Sequence, residues 1–406
     1  MHDENIIASL DLGSSKTVAL ISRFLPSGEM ELIGIGIATS TGIKAGAVTN
    51  IEKTVASIKE AVEEAELMSA EEITDVIINI SGKHLKGDNS PGVIAITNKE
   101  KIVTTQDIYR VIEAARSVRI PADQEILHVL AKEFKVDDQT GIKDPTGMVG
   151  FRLEADVHVV TGSVTQIQNT ENAVNEAGIE VYEKVISALA SSQSFLSEDE
   201  KEMGVAVIDI GAGEIDIIIY VDGGVAYTST INLGGQHITQ DISIGLKTPM
   251  EAAEVLKKRD GIAEIATVDP METVEVPSVG NRNPRAVPRK ELANIIEARL
   301  REILELVNLE LLKSGKKAVL AGGVIFTGGV SLTEGLIQLA EEVIQLQSSV
   351  GYPKGLSGIS DKISSPVFAT VVGLLHYGSK NTDKNRTKKK GNNFVGRMKS
   401  WLQDNL

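Results

Sequence analysis

An internal repeat limits what this chain can fold into more than any other feature. A β-branched strand runs into Asp11-Leu12-Gly13-Ser14-Ser15-Lys16, and far along the chain another runs into Asp209-Ile210-Gly211-Ala212-Gly213-Glu214. Aligning Asp11 with Asp209 also aligns Gly13 with Gly211 and the apolar run 18–21 with 217–220. Each copy reads strand, acidic-glycine turn, strand. A repeated supersecondary unit outranks a lone motif, because two copies imply two halves with something held between them.

The turn chemistry says what that something is. A phosphate chain needs backbone N–H groups at close range, and glycine or small residues permit it because no Cβ blocks the approach and positive φ is cheap. Gly13, Ser14 and Ser15 supply this in the first turn, and Gly211, Ala212 and Gly213 in the second. An aspartate beside each turn would repel phosphate unless it faces a hard cation, so Asp11 and Asp209 are the expected Mg²⁺ residues. Lys16 is the expected point charge for a β or γ phosphate. Taken singly, each Asp-x-Gly is also an ordinary hairpin turn.

A third element separates the readings. Ile325-Phe326-Thr327-Gly328-Gly329-Val330 reads as a buried strand and a double-glycine turn, followed by an amphipathic helical stretch at 332–346. Adenosine can lie against exposed backbone at Gly328 and Gly329. The order phosphate turn, phosphate turn, adenosine turn resembles the actin, sugar kinase and Hsp70 ATPase superfamily. That resemblance implies ATP in a cleft between two α/β lobes.

Composition excludes other classes. The chain has 406 residues, 42% of them hydrophobic, enough for several core-bearing units. No apolar run is long enough to span a bilayer, and the N-terminus enters a strand at once without a secretory pattern. Cysteine is absent, which removes disulfides and thiolate metal sites, and the six histidines lack metal-ligand spacing. Charge is unevenly placed: residues 379–406 carry eight basic against two acidic side chains, a sum of +6, so the body carries −21 to give the formal net charge of −15. Such a body repels nucleic acid and anionic surfaces, whereas the tail attracts the latter.

Along the chain, 1–83 reads as the first part of one lobe, with a helix at 52–68 and a buried strand at 76–80. Residues 84–162 read as an inserted α+β subdomain with a helix at 105–118, and 163–196 return to the first lobe through helices at 166–177 and 187–196. The polar run 197–202 opens the second lobe, 197–235. Its insertion, 236–317, holds helices at 249–259 and 290–313 and an irregular loop at 277–288. The second lobe resumes at 318–350 and the first at 351–378. Residues 379–391 read as a disordered basic linker. In 392–406, Phe394, Val395, Met398, Trp401, Leu402 and Leu406 form one stripe of a basic amphipathic helix, a pattern suited to an anionic membrane interface.

The whole chain resembles the FtsA family of bacterial actin-like cell-division proteins. The segments that carry this are 10–16, Ser81-Gly82-Lys83-His84, Leu127-His128-Val129, Leu189-Ala190-Ser191-Ser192, 274–280, Thr327-Gly328-Gly329 and 372–378. The inserted subdomain separates the family from actin, Hsp70 and sugar kinases. The resemblance implies ATP and Mg²⁺ between the lobes, polymerisation into filaments, attachment of the FtsZ ring through the FtsZ C-terminal tail to the cytoplasmic face of the inner membrane, and contact of the inserted subdomain with later division proteins. By position it also implies Lys257 and Arg259 as nucleotide-facing residues, and Arg282, Arg285, Arg299 and Arg301 as the surface for the FtsZ tail.

Two departures matter. The second turn has Ala212 where glycine is commoner and Glu214 where a hydroxyl residue is common, the latter facing the γ-phosphate unless it turns away or joins the Mg²⁺ shell. Ser187 stands where fast hydrolases place Glu or Gln to orient water, so hydrolysis is expected to be slow at most. A sugar-kinase-like phosphotransferase and a pilus-assembly adaptor are the alternatives; the amphipathic tail argues against both.

Overall fold

The computed structural model describes residues 6–116, 120–280 and 282–382. The repeat in the sequence reappears as a repeated sheet. In the first lobe the strands lie in the order Glu180–Ile186, Asp75–Ile80, Ile6–Leu12, Lys16–Phe24, Met30–Thr39 and the short Leu356–Gly358. In the second they lie in the order Ser348–Val350, Val324–Thr327, Val205–Ile210, Ile215–Val221 and Gly224–Ile231. Each lobe is thus a three-stranded antiparallel meander extended on one side by two parallel strands, and the first lobe adds Leu356–Gly358 in parallel at its other edge.

These strands read as nearly continuous β-branched runs because both sheet faces are covered; Val205–Ile210 and Ile215–Val221 are buried along their whole length. On one face of the first sheet lies the helix Ile51–Ser69, capped by Asn50, whose Oδ1 accepts from Lys53 N at 2.9 Å. It seats closely because Gly36 has no side chain: a Cβ there would lie 1.7 Å from the Ala61 carbonyl oxygen. The outer face of the second sheet packs against the helix Arg289–Lys313 through Leu292, Ile296, Leu300, Ile303, Leu304, Val307 and Leu311.

Between the sheets lie two helices, Ser187–Gln193 and Ala369–Thr382, which share one core with both lobes. They touch backbone to backbone at Gly373, where a Cβ would lie 1.6 Å from the Ala190 carbonyl oxygen. Residues between the first lobe's strands build the inserted subdomain, a sheet in the order Lys86–Ala95, Arg152–Ser163, Gln124–Val136 and Gln139–Ile142. The helix Thr105–Arg116 covers it with Ile108, Val111, Ile112 and Ala115, and Thr104 caps that helix by accepting from Asp107 N. The insertion leans on the second lobe's edge strand: Asn89 Nδ2 donates to the Ala226 carbonyl at 3.0 Å, and His158 Nε2 meets Thr228 Oγ1 at 2.9 Å.

Three local expectations change. Only the last four residues of the loop at 277–288 leave the irregular pattern: Arg285–Pro288 is the return arm of a hairpin with Thr273–Val276, which buries Val274 against Val287. Alternation over four residues is too short a signal to register against Pro and Asn. The stretch 332–346 splits into a 3-10 turn, Gly329–Leu332, and a helix, Leu336–Ile344, because Gly335 at φ 78° interrupts the winding. The polar run 197–202 is a helical turn, Glu198–Met203, held by a capping box between Ser197 and Glu200.

Candidate functional site

Both acidic-glycine turns close with the same hydrogen bond. Gly13 N donates to the Lys16 carbonyl at 3.1 Å, and Gly211 N to the Glu214 carbonyl at 3.0 Å. A Cβ on Gly13 would lie 2.8 Å from that carbonyl, so this turn requires glycine. The turns meet face to face, since a Cβ on Gly213 would lie 2.8 Å from Ser14 Oγ. Around them opens a cavity of about 510 Å³ lined by Asp11, Gly13, Ser14, Ser15 and Lys16 from one lobe, by Asp209, Gly211, Ala212, Gly213 and Glu214 from the other, and by Gly328 and Gly329. Such a volume suits a small organic ligand.

The electrostatics are lopsided. Burial pushes the Asp11 carboxyl up to about 6, Asp216 up to about 6, and Asp209, also beside Asp216, up to about 7; Glu214 rises well above the usual range for the same reasons. Burial lowers the Lys16 ammonium to about 8. Its Nζ donates to the Val367 carbonyl at 3.0 Å and lies 3.9 Å from the Phe368 ring centroid. Five carboxyls, of Asp11, Asp209, Glu214, Asp216 and Glu254, line the cavity with three ammoniums, of Lys16, Lys257 and Lys258, so acid outnumbers base there.

Several of these groups are held firmly. Thr370 Oγ1 donates to Asp209 Oδ2 at 3.0 Å. Asn79 accepts from Leu12 N at 2.7 Å and donates to Ser187 Oγ at 3.1 Å, tying the first turn to the helix behind it. Asp216 takes hydrogen bonds from Ser81 Oγ at 2.8 Å and Thr230 Oγ1 at 2.7 Å, and so joins the lobes. Among the described residues no three His, Cys, Asp or Glu side chains converge as metal ligands. The Asp11 and Asp209 carboxyls on the cavity wall are oxygen donors of the kind magnesium takes together with phosphate and water oxygens.

The double-glycine turn divides its work. Gly328, at φ 80° and ψ 173°, faces protein: a Cβ would lie 2.4 Å from Asp209 Oδ1. Gly329 faces open space. A side chain at 328 thus strikes Asp209, and the open wall where flat groups can lie belongs to Gly329.

Lys257 is on the cavity wall, its Nζ bonded to the Gly235 carbonyl, Thr239 and Glu254. Arg259 is not; it pairs with Asp260 at 2.7 Å away from the cleft, and Lys258 lines the cavity instead. Helical spacing is the reason. Glu254, Lys257, Lys258 and Gly261 share one face of the helix Met250–Asp260 and its exit, and Arg259 is turned about 100° from Lys258.

Nor do the four arginines form one surface. Arg299 pairs with Asp241 at 2.5 Å, whereas Arg301 pairs with Glu342 at 2.8 Å and with Glu297. Two residues apart on a helix point to opposite sides. Arg285 donates to the Leu246 carbonyl, and Arg282 is exposed on the hairpin loop. The tail stripe Phe394, Val395, Met398, Trp401, Leu402 and Leu406 lies outside the described residues.

Sequence reasoning missed Asn79, Asp216, Thr370 and Lys258. Only Asp216 had a signal, since it sits in the repeat opposite Asp209 in the strand register.

Comparison with known proteins settles the family. The chain is 41% identical to Cell division protein FtsA of Pseudomonas aeruginosa over 99% of its own length and 98% of that protein. It is 38% identical to the Escherichia coli K12 protein of the same name over 99% of its own length and 98% of that protein. The chain belongs to the FtsA family. Residues 206–373 match the family model "Cell division protein FtsA", and 82–161 match "SHS2 domain inserted in FTSA".

Solved structures give the fold. A PilM–PilN type IV pilus biogenesis complex chain superposes with TM-score 0.66 at 15% identity, covering 92% of this chain and 98% of its own. MreB5 of Spiroplasma citri bound to ADP superposes with TM-score 0.57 at 15% identity, covering 94% of this chain and 100% of its own. The described residues of this FtsA-family member therefore have the two-lobed actin-like ATPase fold with an inserted α+β subdomain. Among them no helix is long and apolar enough to cross a membrane.

Proposed function

We propose that this chain binds ATP with Mg²⁺ between its lobes, polymerises on the cytoplasmic face of the inner membrane, anchors the FtsZ ring there and helps recruit later division proteins through the inserted subdomain. The observation that carries the nucleotide part is the pair of facing turns, closed by the same hydrogen bond and opening on one cavity. In this reading Gly13 to Ser15 and Gly211 to Gly213 present backbone N–H groups to the phosphates. Asp11 and Asp209 hold the magnesium, which screens phosphate charge when bound. Lys16 leaves the Val367 carbonyl for a phosphate oxygen, and Gly329 leaves room for the adenosine. Ser187 donates or accepts one hydrogen bond where a carboxylate or amide would orient water, so turnover is slow and the protein works as a scaffold.

The tail supplies attachment. Six apolar side chains are each worth at most ~1.5–3 kcal/mol when fully buried, while helix ordering costs on the order of 1 kcal/mol per residue, which leaves a small surplus for one molecule. Basic residues add about 1 kcal/mol each near an anionic leaflet. Assembly into filaments raises avidity roughly 10²–10⁴-fold by presenting many tails together.

The test is co-sedimentation of the full chain with FtsZ and anionic liposomes, with and without Mg²⁺-ATP, against Trp401→Glu. The variant should leave the liposomes while still binding ATP and FtsZ. Undiminished liposome binding at physiological salt would remove the tail as the anchor, and failure of the wild type to pellet with FtsZ would remove the tether.

A further inference from the structure

The C-terminal end of the helix Ile51–Ser69 carries charge of the wrong sign. Residues 60–75 hold seven acidic side chains and no basic one. The last turn of a helix favours cations, and glutamates three apart repel, yet this turn has no base and Glu60, Glu63 and Glu66 follow at that spacing. Two of the acids have local uses: Glu64 accepts from Ile37 N and Glu66 from Ile73 N, each at 2.7 Å. Glu60, Glu63, Glu71 and Glu72 have no ion pair among the described residues. Beside them opens a groove lined by Glu63, Glu66, Leu67, Ala70, Glu71 and Glu72, where Leu67 is 85% exposed and its neighbour Met68 41%. Bare apolar side chains rimmed by unpaired acids fit a basic amphipathic segment.

The chain itself carries such a segment within reach. Its last described helix, Ala369–Thr382, crosses the opening residues of two strands of the first sheet: a Cβ on Gly378 would lie 2.0 Å from Ile77 Cδ1 and 2.6 Å from Ile7 Cδ1. The strand that holds Ile77 begins at Asp75, just after the groove, so helix and groove share one end of that sheet, on opposite faces. Rounding the sheet takes roughly 20 Å, about two helix diameters. The ten steps of chain from Thr382 to Asn392 reach about 33 Å when extended. Residues 383–406 hold seven basic and two acidic side chains together with the stripe that includes Trp401. By contrast Glu198, Glu200 and Glu202, near the same exit, already have partners: Glu198 pairs with Lys201, Glu202 with Lys143, and Glu200 caps its own helix.

We propose that residues 392–406 dock in cis on this groove, the apolar stripe on Leu67 and Met68 and the bases on the glutamates, so that the groove competes with an anionic membrane for the tail. The competition rests on the reading of the tail as the membrane anchor; the docking does not. A short tether presents the tail to its own groove at an effective concentration on the order of millimolar, so even a weak contact keeps it covered in a lone molecule. Neighbouring tails in a filament meet the membrane together, and that joint gain outweighs each single docking contact. The groove thereby reserves the membrane for assembled copies.

Trp401 is the chain's only tryptophan, so its fluorescence reads the tail without a label. The experiment measures acrylamide quenching of the full chain without lipid, and then binding to vesicles of phosphatidylglycerol and phosphatidylcholine. It compares the wild type, the triple variant Glu63→Gln, Glu71→Gln, Glu72→Gln, and the single variant Leu67→Ser, with thermal melts showing each folded. Both variants should raise the quenching constant about twofold or more and bind the vesicles about threefold or more tightly, because the competing groove is lost. Leu67→Ser leaves the net charge unchanged, so its gain cannot come from weaker repulsion between body and membrane. Equal quenching in the wild type and either folded variant overturns the docking. A wild-type quenching constant that rises on dilution places the tail on another copy and overturns docking in cis. Raised quenching with unchanged vesicle binding overturns the competition. No vesicle binding by any of the three overturns the anchor reading, and the competition with it.

Discussion

Gly328 and Gly329 are adjacent, chemically identical and expected to respond differently to the same methyl group. Gly328 occupies φ 80°, ψ 173°, a region essentially confined to glycine, so alanine there costs about 1–3 kcal/mol in backbone strain alone. Its Cβ would also meet Asp209 Oδ1 at 2.4 Å and the Ile210 carbonyl oxygen at 2.6 Å. Neither neighbour can yield freely, since Asp209 is held by Thr370 and Ile210 by the sheet. Overpacking of this kind adds about 1–3 kcal/mol. Gly328→Ala should therefore lose roughly 2–6 kcal/mol, which for a lobe of this size is a fall in melting temperature of at least about 4 °C. Gly329→Ala places its methyl in open space and should melt within about 1 °C of the wild type, yet lose nucleotide affinity because that space is the cavity wall. Calorimetric melts paired with nucleotide titrations read both effects. Equal melting temperatures for the two variants would refute the reasoning, because the strain and the collision are then absent.

The helix Met250–Asp260 offers a similar contrast: Lys257→Met should weaken nucleotide binding at least tenfold in titration, while Arg259→Ala, outside the cleft, should change it less than threefold. At the crossing of the two central helices, Gly373→Ala meets the Ala190 carbonyl head-on and should destabilise by about 3 kcal/mol or more in urea unfolding, whereas Ser379→Ala near the end of the same helix should cost under about 1 kcal/mol. His158 bears on pH. Burial lowers its imidazole from 6.5 to about 4, so the unfolded chain binds the extra proton first; the stability it contributes is complete above pH 6.5 and drains away as pH falls toward 4, by up to roughly 3 kcal/mol. Urea midpoints for the wild type and His158→Gln between pH 4.5 and 7 should show the steeper acid decline in the wild type, and parallel curves would exclude His158 as the cause.

How much of this was legible in the sequence depended on the range of the interaction. The turns were legible because their demands are local: an acid, a glycine and a small residue within six positions, repeated. The two lobes followed from the repeat. The repeat marks the position of Asp216 but not its role, which comes from Thr230 across the neighbouring strand and from Ser81, distant in sequence and in the other lobe. Asn79 was hidden at the end of an apolar strand, where it reads as an interruption instead of the peg between Leu12 and Ser187. The family resemblance points to Arg259 beside Lys257, although one residue along a helix is enough to turn a side chain out of a site. The resemblance places Arg299 and Arg301 on one surface, and only their carboxylate partners reveal that they face different helices.

The inserted subdomain belongs by chain to the first lobe yet rests on the edge strand Gly224–Ile231 of the second. It is consequently a lever arm pinned at two points. If the lobes turn against each other about the Gly373 crossing, the seat of His158 on Thr228 must shift with them. A turn of about 10° moves a point ~30 Å from the pivot by about 5 Å, close to one turn of helix. The contents of the cleft would then be displayed on the far face of the insertion as a displacement large enough for a partner to read, with no ligand contact there at all.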